Sequence, residues 1–225
     1  LFLSGLLAPL TAFPPAVQDW VRWTPFPYLI DFPARVLSGD PVDLAAGFAA
    51  QLAWVGLLLP LVLVLALPRP KMLRRLLRAV AEFGVSDLVL INSERVEKSF
   101  WQSDLLADAA LRDYCLAGAA QARDTRLPAV TLRRRFRPFA EDELPALCAG
   151  RRALVADPGA ALPCPASPTG PLLLAIGPEA GFNRFEIGLL EAAGCTPVSL
   201  GPRTLRVETA LVAALGRLGA PAGLA

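Results

Sequence analysis

The feature that most constrains the fold is a run of 25 residues without a charged side chain, from Leu44 to Pro68. By its length, such a run is a candidate for a transmembrane helix. Pro60 interrupts it, however, and the LVLVLA that follows is short and rich in β-branched side chains. That pattern is typical of a parallel strand buried on both faces. The run therefore divides near residue 59 into an apolar helical part and a first buried strand.

The composition of the chain changes at the same place. Residues 1–67 contain four Asp and two Arg as their only charged side chains, a net charge of −2, whereas residues 68–225 contain 20 basic and 16 acidic residues, a net charge of +4. Hydrophobic residues make up 54% of the chain, which excludes intrinsic disorder. We predict an apolar, helical segment at 1–58 and a globular domain at 59–221.

Several kinds of chemistry are excluded by the residues that are missing. Histidine is absent, so no histidine base, triad or metal ligand is available. The four cysteines lie far apart without a CxxC pair, and we predict no metal site but buried, reduced thiols of a cytosolic protein. They are Cys115, Cys148, Cys164 and Cys195. No GxGxxG or GxxxxGK[ST] motif occurs, which excludes a Rossmann dinucleotide site and a P-loop.

After Pro60, short apolar runs alternate with helical patterns. Strands are predicted at 61–66, 87–92, 153–157, 171–177 and 197–201, and helices at 70–83, 103–123, 183–193 and 205–218. Strands that alternate with helices predict an α/β domain whose parallel sheet is covered on both faces.

Two stretches near the C-terminus carry the candidate site. The strand LLLAIG runs into a glycine- and proline-rich turn at 177–181, and open α/β sheets bind ligands at the carboxyl ends of their strands. The second stretch, 198–209, places Arg203 in a turn and Arg206 and Glu208 at the start of a helix. Taken singly, each stretch also fits an ordinary surface turn that leads into a helix.

Together, the two stretches IGPEAGF and VSLGPRTLRVETA closely resemble the signature of the SPOUT class of RNA methyltransferases. The resemblance covers residues 60–218 and is greatest to the family that methylates N3 of a uridine in 16S ribosomal RNA. It implies an α/β domain with a C-terminal trefoil knot, through which two copies form a homodimer. It also implies a cytoplasmic enzyme that uses S-adenosylmethionine (SAM) on the 16S rRNA of the small ribosomal subunit.

The same resemblance assigns site residues. The loops around 175–181 and 200–209 are expected to form the cofactor pocket. The expected cofactor-binding residues are Ala175, Ile176, Gly177, Pro178, Glu179, Gly181, Leu200, Gly201, Leu205 and Thr209. Without histidine, Glu208 is a candidate base for the uracil N3 proton, and Arg203 and Arg206 are candidates for stabilising the uracil anion. We expect positioning and arginine stabilisation to matter more than a strong base.

Two departures from the family pattern are visible. The family usually has a second glycine where this chain has Ala180, and a side chain there is costly if the position requires a positive φ. Many members also carry Gln-Ser-Gly-Arg where this chain reads Gln121-Ala122-Arg123-Asp124. The equivalence of the family's arginine is therefore open.

Basic residues indicate where RNA would bind. Lys71, Arg74, Arg75 and Arg78 fall at i, i+3, i+4 and i+7, on one face of the predicted helix 70–83. The residues expected to contact RNA are Arg69, Lys71, Arg74, Arg75, Arg78 and Arg95. A basic face of this kind is otherwise simply solvated. The aromatic pair Phe100 and Trp101 fits either stacking on RNA bases or packing in the core.

Residues 1–58 do not read as the PUA-like barrel that the family normally carries at its N-terminus. Their proline and aromatic spacing instead resembles a fragment of an ABC-2-type permease. The alternative function is therefore a membrane permease fragment, with membrane contact through 1–58, fused to an inactive or merely RNA-binding SPOUT domain.

Overall fold

The computed structural model describes residues 61–166, 168 and 170–219. The expectations for residues 1–58, including membrane contact, lie outside the described residues. Within the described part of the chain, no helix combines the length and the apolar character needed to cross a membrane.

The described residues form a six-stranded sheet in which every pair of neighbouring strands is parallel. The strands are β1 Leu61–Ala66, β2 Asp87–Ile91, β3 Ala129–Arg133, β4 Arg152–Ala156, β5 Leu172–Ile176 and β6 Thr196–Val198. Their order across the sheet is β3-β2-β1-β5-β4-β6. The predicted α/β fold with a parallel sheet is confirmed.

The middle of the sheet is formed by β1, which pairs with β2 on one side and β5 on the other. Leu63, Val64 and Leu65 are fully buried, although successive side chains of a strand point to opposite faces. Both faces of the strand are therefore covered, which is why its sequence is a continuous apolar run. The interpretation of LVLVLA as a buried strand is confirmed.

The strand β3 was not predicted, and β6 is shorter than predicted. β3 pairs with β2 at the edge of the sheet, and its side chains are exposed or half-buried, so its sequence AVTLR carries little apolar signal. β6 ends at Val198 because the next residue pairs elsewhere. The Ser199 amide donates to the Leu162 carbonyl (2.7 Å), and the Ser199 carbonyl accepts from the Cys164 amide (2.8 Å).

Four helices of eight or more residues lie in the described part of the chain. They are α1 Pro70–Glu82, α2 Asp108–Ala122, α3 Arg184–Ala192 and α4 Val207–Leu218. All four were predicted, but α2 and α4 begin later than expected. The chain before α2 forms two 3₁₀ turns, Lys98–Gln102 and Asp104–Leu106. Three short helical pieces follow β3 and were not predicted: Phe136–Pro138, Phe139–Glu143 and Leu144–Cys148.

The helices α1 and α2 pack closely against each other. The apolar side of α1 is buried as expected, through Leu73, Leu76, Leu77 and Val80. On α2, a Cβ atom added to Gly118 would lie 2.3 Å from the Arg78 carbonyl oxygen. This glycine therefore allows the two backbones to approach each other.

The four cysteines are free and buried, as predicted. Burial raises the pKa of the Cys115 thiol to about 11, so this group is protonated at neutral pH. The sulfur atoms of Cys148 and Cys195 lie 3.8 Å apart in the core.

Arg123 offers a test of backbone strain. Among the described residues it is the only non-glycine residue with a positive φ, 56°, and it caps the C-terminus of α2. Glycine adopts this conformation without the steric cost that a side chain carries. We predict that Arg123→Gly raises the free energy of unfolding by about 1 kcal/mol in urea denaturation. The neighbouring Ala122→Gly should lower it, and an unchanged or lower stability of Arg123→Gly would contradict this explanation.

Candidate functional site

The carboxyl ends of the parallel strands lie along one edge of the sheet, where the loops after β4, β5 and β6 surround a cavity of about 450 Å³. The cavity is lined by Ala156, Asp157, Pro158, Ile176, Gly177, Pro178, Glu179, Ala180, Gly181, Phe182, Leu200, Gly201, Arg203, Thr204, Leu205, Val207 and Ala210. Its walls combine apolar side chains with backbone from the glycine-containing turns. Such a concave, partly apolar cavity is typical of a small-molecule site.

Most of the residues predicted to bind a cofactor meet at this cavity. They are Ile176, Gly177, Pro178, Glu179, Gly181, Leu200, Gly201 and Leu205. Ala175 and Thr209 are not among the lining residues. Ala175 is completely buried inside β5, and Thr209 is exposed on α4, off the side that Val207 and Ala210 share.

The loop after β4 contributes lining residues that the sequence analysis missed. Ala156, Asp157 and Pro158 line the cavity, and one carboxylate oxygen of Asp157 accepts a hydrogen bond from the Gly159 amide (2.9 Å). The signal that could have identified them is their position at the end of a predicted strand. Ligand sites of parallel sheets collect at that end of every strand.

We call residues 177–182 the glycine loop. A Cβ atom added to Gly177 would lie 2.8 Å from the Phe182 amide nitrogen and 3.1 Å from its ring, so the loop closes only over a glycine. Gly181 has a φ of 72° and donates from its amide to the Pro178 carbonyl (2.8 Å). Ala180 does not have a positive φ. The backbone at Ala180 is therefore free of the steric strain that a side chain causes at a positive φ.

A buried carboxylate joins Asn183, the residue that follows the glycine loop, to the loop after β2. Glu186, only 3% exposed, accepts from the Glu94 amide (2.8 Å) and from the Asn183 amide (2.9 Å). The Asn183 side chain in turn accepts from the Glu186 amide (2.7 Å), which completes a capping box at the start of α3. The Asn183 amide group also donates to the Glu94 carboxylate.

Two arginines expected to contact RNA each contact the glycine loop, although both side chains are exposed. Arg95 donates from its guanidinium to the Ala180 carbonyl at 2.5 Å. Arg69 forms an ion pair with Glu179 at 3.4 Å. Arg69 follows β1, which pairs with β5, and Arg95 follows β2, the next strand in the sheet. The order of the strands therefore brings both arginines close to the loop after β5.

The three residues predicted to act in the reaction differ in position. Arg203 is exposed and lines the cavity. Arg206 is exposed at the residue before α4, and Glu208 lies in the first turn of that helix; neither lines the cavity. One carboxylate oxygen of Glu208 is buried and has no hydrogen-bond partner among the described residues. The nearby N-terminus of α4 favours a negative charge at this position.

The predicted basic face of α1 is exposed, but its four cations have different surroundings. Arg74 and Arg78 line a groove between α1 and α2 that also contains Asp104 and Asp113, and the Arg78 guanidinium lies 5.4 Å from the centre of the Tyr114 ring. Lys71 and Arg75 do not line this groove. These two cations are the better candidates for phosphate contacts.

The aromatic pair Phe100 and Trp101 could stack on RNA bases or pack in the core, and the structure shows core packing for Trp101. Its side chain is 8% exposed, and its indole nitrogen donates to the Asn92 side chain at 2.9 Å. Phe100 is half-buried and packs against the same core. Within the described ranges, no group of three or more Cys, Asp or Glu side chains is placed to hold a metal ion.

The buried carboxylate of Glu186 can be tested directly. We predict that Glu186→Ala lowers the free energy of unfolding by about 1–3 kcal/mol, because two partly buried backbone amides lose their charged acceptor. Hydrogen exchange at Glu94 and Asn183 should become faster. The control is Glu191→Ala, an exposed residue of the same helix. If both variants unfold at the same urea concentration, the hydrogen bonds of Glu186 do not contribute to the free energy of unfolding.

Comparisons with known proteins agree with this arrangement. The model of a family described as an RNA methyltransferase domain matches residues 57–219. A ribosomal RNA small subunit methyltransferase E of Treponema pallidum is 37% identical over 161 residues, which are 70% of this chain and 60% of that protein. The chain thus spans about three-fifths of the length of this relative.

Solved structures show the same fold. A ribosomal RNA small subunit methyltransferase E of Neisseria gonorrhoeae, bound to SAM, superposes with a TM-score of 0.60 at 22% identity and covers 70% of this chain and 64% of its own. A methyltransferase of Legionella pneumophila, in complex with SAM, also has a TM-score of 0.60, at 25% identity, and covers 71% and 65% of the two chains.

Proposed function

Because the chain belongs to the RNA methyltransferase domain family, we propose that it transfers a methyl group from SAM to N3 of a uridine in the 16S rRNA of the small ribosomal subunit. The observation that carries this proposal is the cavity formed by the glycine loop and the loop before α4. The relatives with this fold include a methyltransferase from Legionella pneumophila that was solved with SAM bound.

The cavity fits SAM in size and in chemistry. Its volume of about 450 Å³ lies in the range of ligand sites. Ile176, Leu200 and Leu205 supply apolar walls for the adenosine, and the exposed backbone of the glycine loop can hydrogen-bond to the adenine edge. Asp157 brings a negative charge to the cavity, which suits the amino group of SAM.

Bound SAM supplies an electrophilic methyl group on a sulfonium sulfur. As N3 of uracil gains the bond to this carbon, the carbon–sulfur bond breaks and N3 loses its proton. In this proposal Arg203, which lines the cavity, stabilises negative charge that develops on O2 or O4. Glu208 is the proposed proton acceptor; it lies in the first turn of α4 outside the cavity lining, and one of its oxygens has no hydrogen-bond partner among the described residues. Arg206 precedes it and would support the same anion.

The trefoil knot, the homodimer through it and a cytoplasmic location belong to this proposal. Two contacts support the knot. Ser199 pairs with residues 162–164, and Arg217 of α4 donates to the Cys164 carbonyl (2.5 Å). The C-terminal part of the chain therefore packs against the loop that precedes β5. Ala180, which could favour an RNA-binding domain without activity, causes no left-handed strain here.

The enzyme assay uses small ribosomal subunits from cells that lack this protein. We expect incubation with SAM to place one new methyl group on 16S rRNA, and reverse transcription to stop at that uridine, because N3 methylation removes a Watson–Crick donor. Methylation without a stop in reverse transcription would overturn the N3 assignment. No methylation of rRNA would overturn the proposed function.

The pocket assignment is tested by Gly177→Val. The side chain would collide with the Phe182 backbone, so the glycine loop must open and SAM binding measured by calorimetry should be lost. Gly188→Val is the matched control, since a Cβ atom at this exposed position of α3 meets no atom within 4 Å. If the folded Gly177→Val protein binds SAM as the parent does, the cofactor lies elsewhere.

Phosphate contacts of α1 are tested by reversing the charges of Lys71 and Arg75. The slope of the logarithm of RNA affinity against that of salt concentration should flatten by about two, since fewer counterions are released. Reversal of Arg126, which pairs with Asp124 at 3.2 Å, is the control. An unchanged slope in the α1 variant would make this face an ordinary solvated surface.

A further inference from the structure

One surface next to the cavity has no role in the function described so far. It begins at Phe182 in the cavity wall and continues to Arg184 and Phe185 in the first turn of α3. Both residues are exposed, and Phe185, at 61%, has the most exposed of the large hydrophobic side chains that the structure describes. The helix does not need this phenylalanine for its packing, which depends on Leu190 and other buried residues.

The segment after β3 lies beside this turn. The rings of Phe136 and Phe182 are 5.9 Å apart and tilted by 49°, a geometry of direct aromatic contact. The residues Arg134 and Arg135 immediately precede Phe136 and are exposed. We call Arg134, Arg135, Phe182, Arg184 and Phe185 the arginine–phenylalanine strip.

Within the described residues, no carboxylate forms an ion pair with the charges of the strip. Arg133 and Arg137, on either side of it in sequence, pair with Glu143 (2.7 Å) and Glu141 (2.8 Å). Arg134, Arg135 and Arg184 have no such ion pair within the described residues. The Arg134 guanidinium instead lies 5.2 Å from the centre of the Trp101 ring, a contact that limits the positions it can adopt.

We propose that the arginine–phenylalanine strip binds an unpaired RNA strand, with Phe185 stacked on a base and Arg135 and Arg184 against the phosphates. This inference rests on the proposed function and locates the RNA that flanks the target uridine. An exposed aromatic ring among cations fits single-stranded RNA because it needs an unstacked base, which a duplex does not offer. Since Phe182 belongs to both the strip and the cavity wall, a strand on the strip brings one nucleotide to the cavity.

The test measures binding of the full chain to a labelled single-stranded RNA of about 12 nucleotides and to the matching duplex by fluorescence anisotropy. Phe185→Leu keeps the apolar volume but removes the aromatic face, and should weaken single-strand binding about tenfold. Duplex binding should change little. Phe185→Trp should restore the affinity for the single strand, and Arg184→Gln should lower the salt slope by about one.

The matched controls are Leu116→Ala and Arg112→Gln, an exposed apolar residue and an exposed cation on α2. The proposal is overturned if Phe185→Leu binds the single strand as the parent or the controls do, or if the parent has no preference for the single strand. Calorimetry with SAM separates this failure from that of the proposed function. If the parent binds SAM and methylates rRNA while Phe185→Leu keeps its RNA affinity, the proposed function stands. Only the assignment of RNA to the strip is then wrong.

Discussion

The parallel direction of the strands is the constraint on which the rest of the molecule depends. Because β1 pairs in parallel with both β2 and β5, the loops that follow these strands must meet at one edge of the sheet. Residues distant in sequence, such as Arg69, Arg95 and Glu179, thereby become neighbours. The cavity, the glycine loop and the strip all lie at this edge, and a strand of opposite direction would separate them.

Hydrogen bonds of Glu186 fix the relative positions of segments that the sheet brings together. A buried carboxylate is costly unless its oxygens find donors, and here one oxygen accepts from an amide of the loop after β2 and the other from the N-cap amide that follows the glycine loop. The residue belongs to a helix but defines the relative position of two loops. This arrangement also connects the two halves of the candidate site, because Arg95 reaches the carbonyl of Ala180 from one of those loops. The loop after β2 is therefore bonded both to Glu186 and to the wall of the cavity.

The sequence predicts those parts of the fold whose physical cause is local. β1 and β5 are visible because strands buried on both faces are apolar throughout, and α1 is visible because its leucines recur with helical spacing. β3 is not visible, since an edge strand with exposed side chains has no such pattern. The strip was missed for a similar reason: its two segments are distant in sequence, and they approach each other at the contact between Phe136 and Phe182. Glu186 reads in the sequence as an ordinary helix cap, and its bond to Glu94 depends on the sheet order.

The pairing of β1 also has a consequence for the synthesis of the chain. β2 can pair with one edge of β1 soon after both strands have left the ribosome. The other edge stays unpaired until β5 has been synthesised, since Leu61 pairs with Leu172. At ordinary rates of translation this interval lasts about 5–20 seconds. During that time, one of the most apolar segments of the molecule offers an unpaired strand edge to other nascent chains. The same placement that gathers the site at one edge thus leaves the growing polypeptide with an aggregation-prone strand edge until its fifth strand is complete.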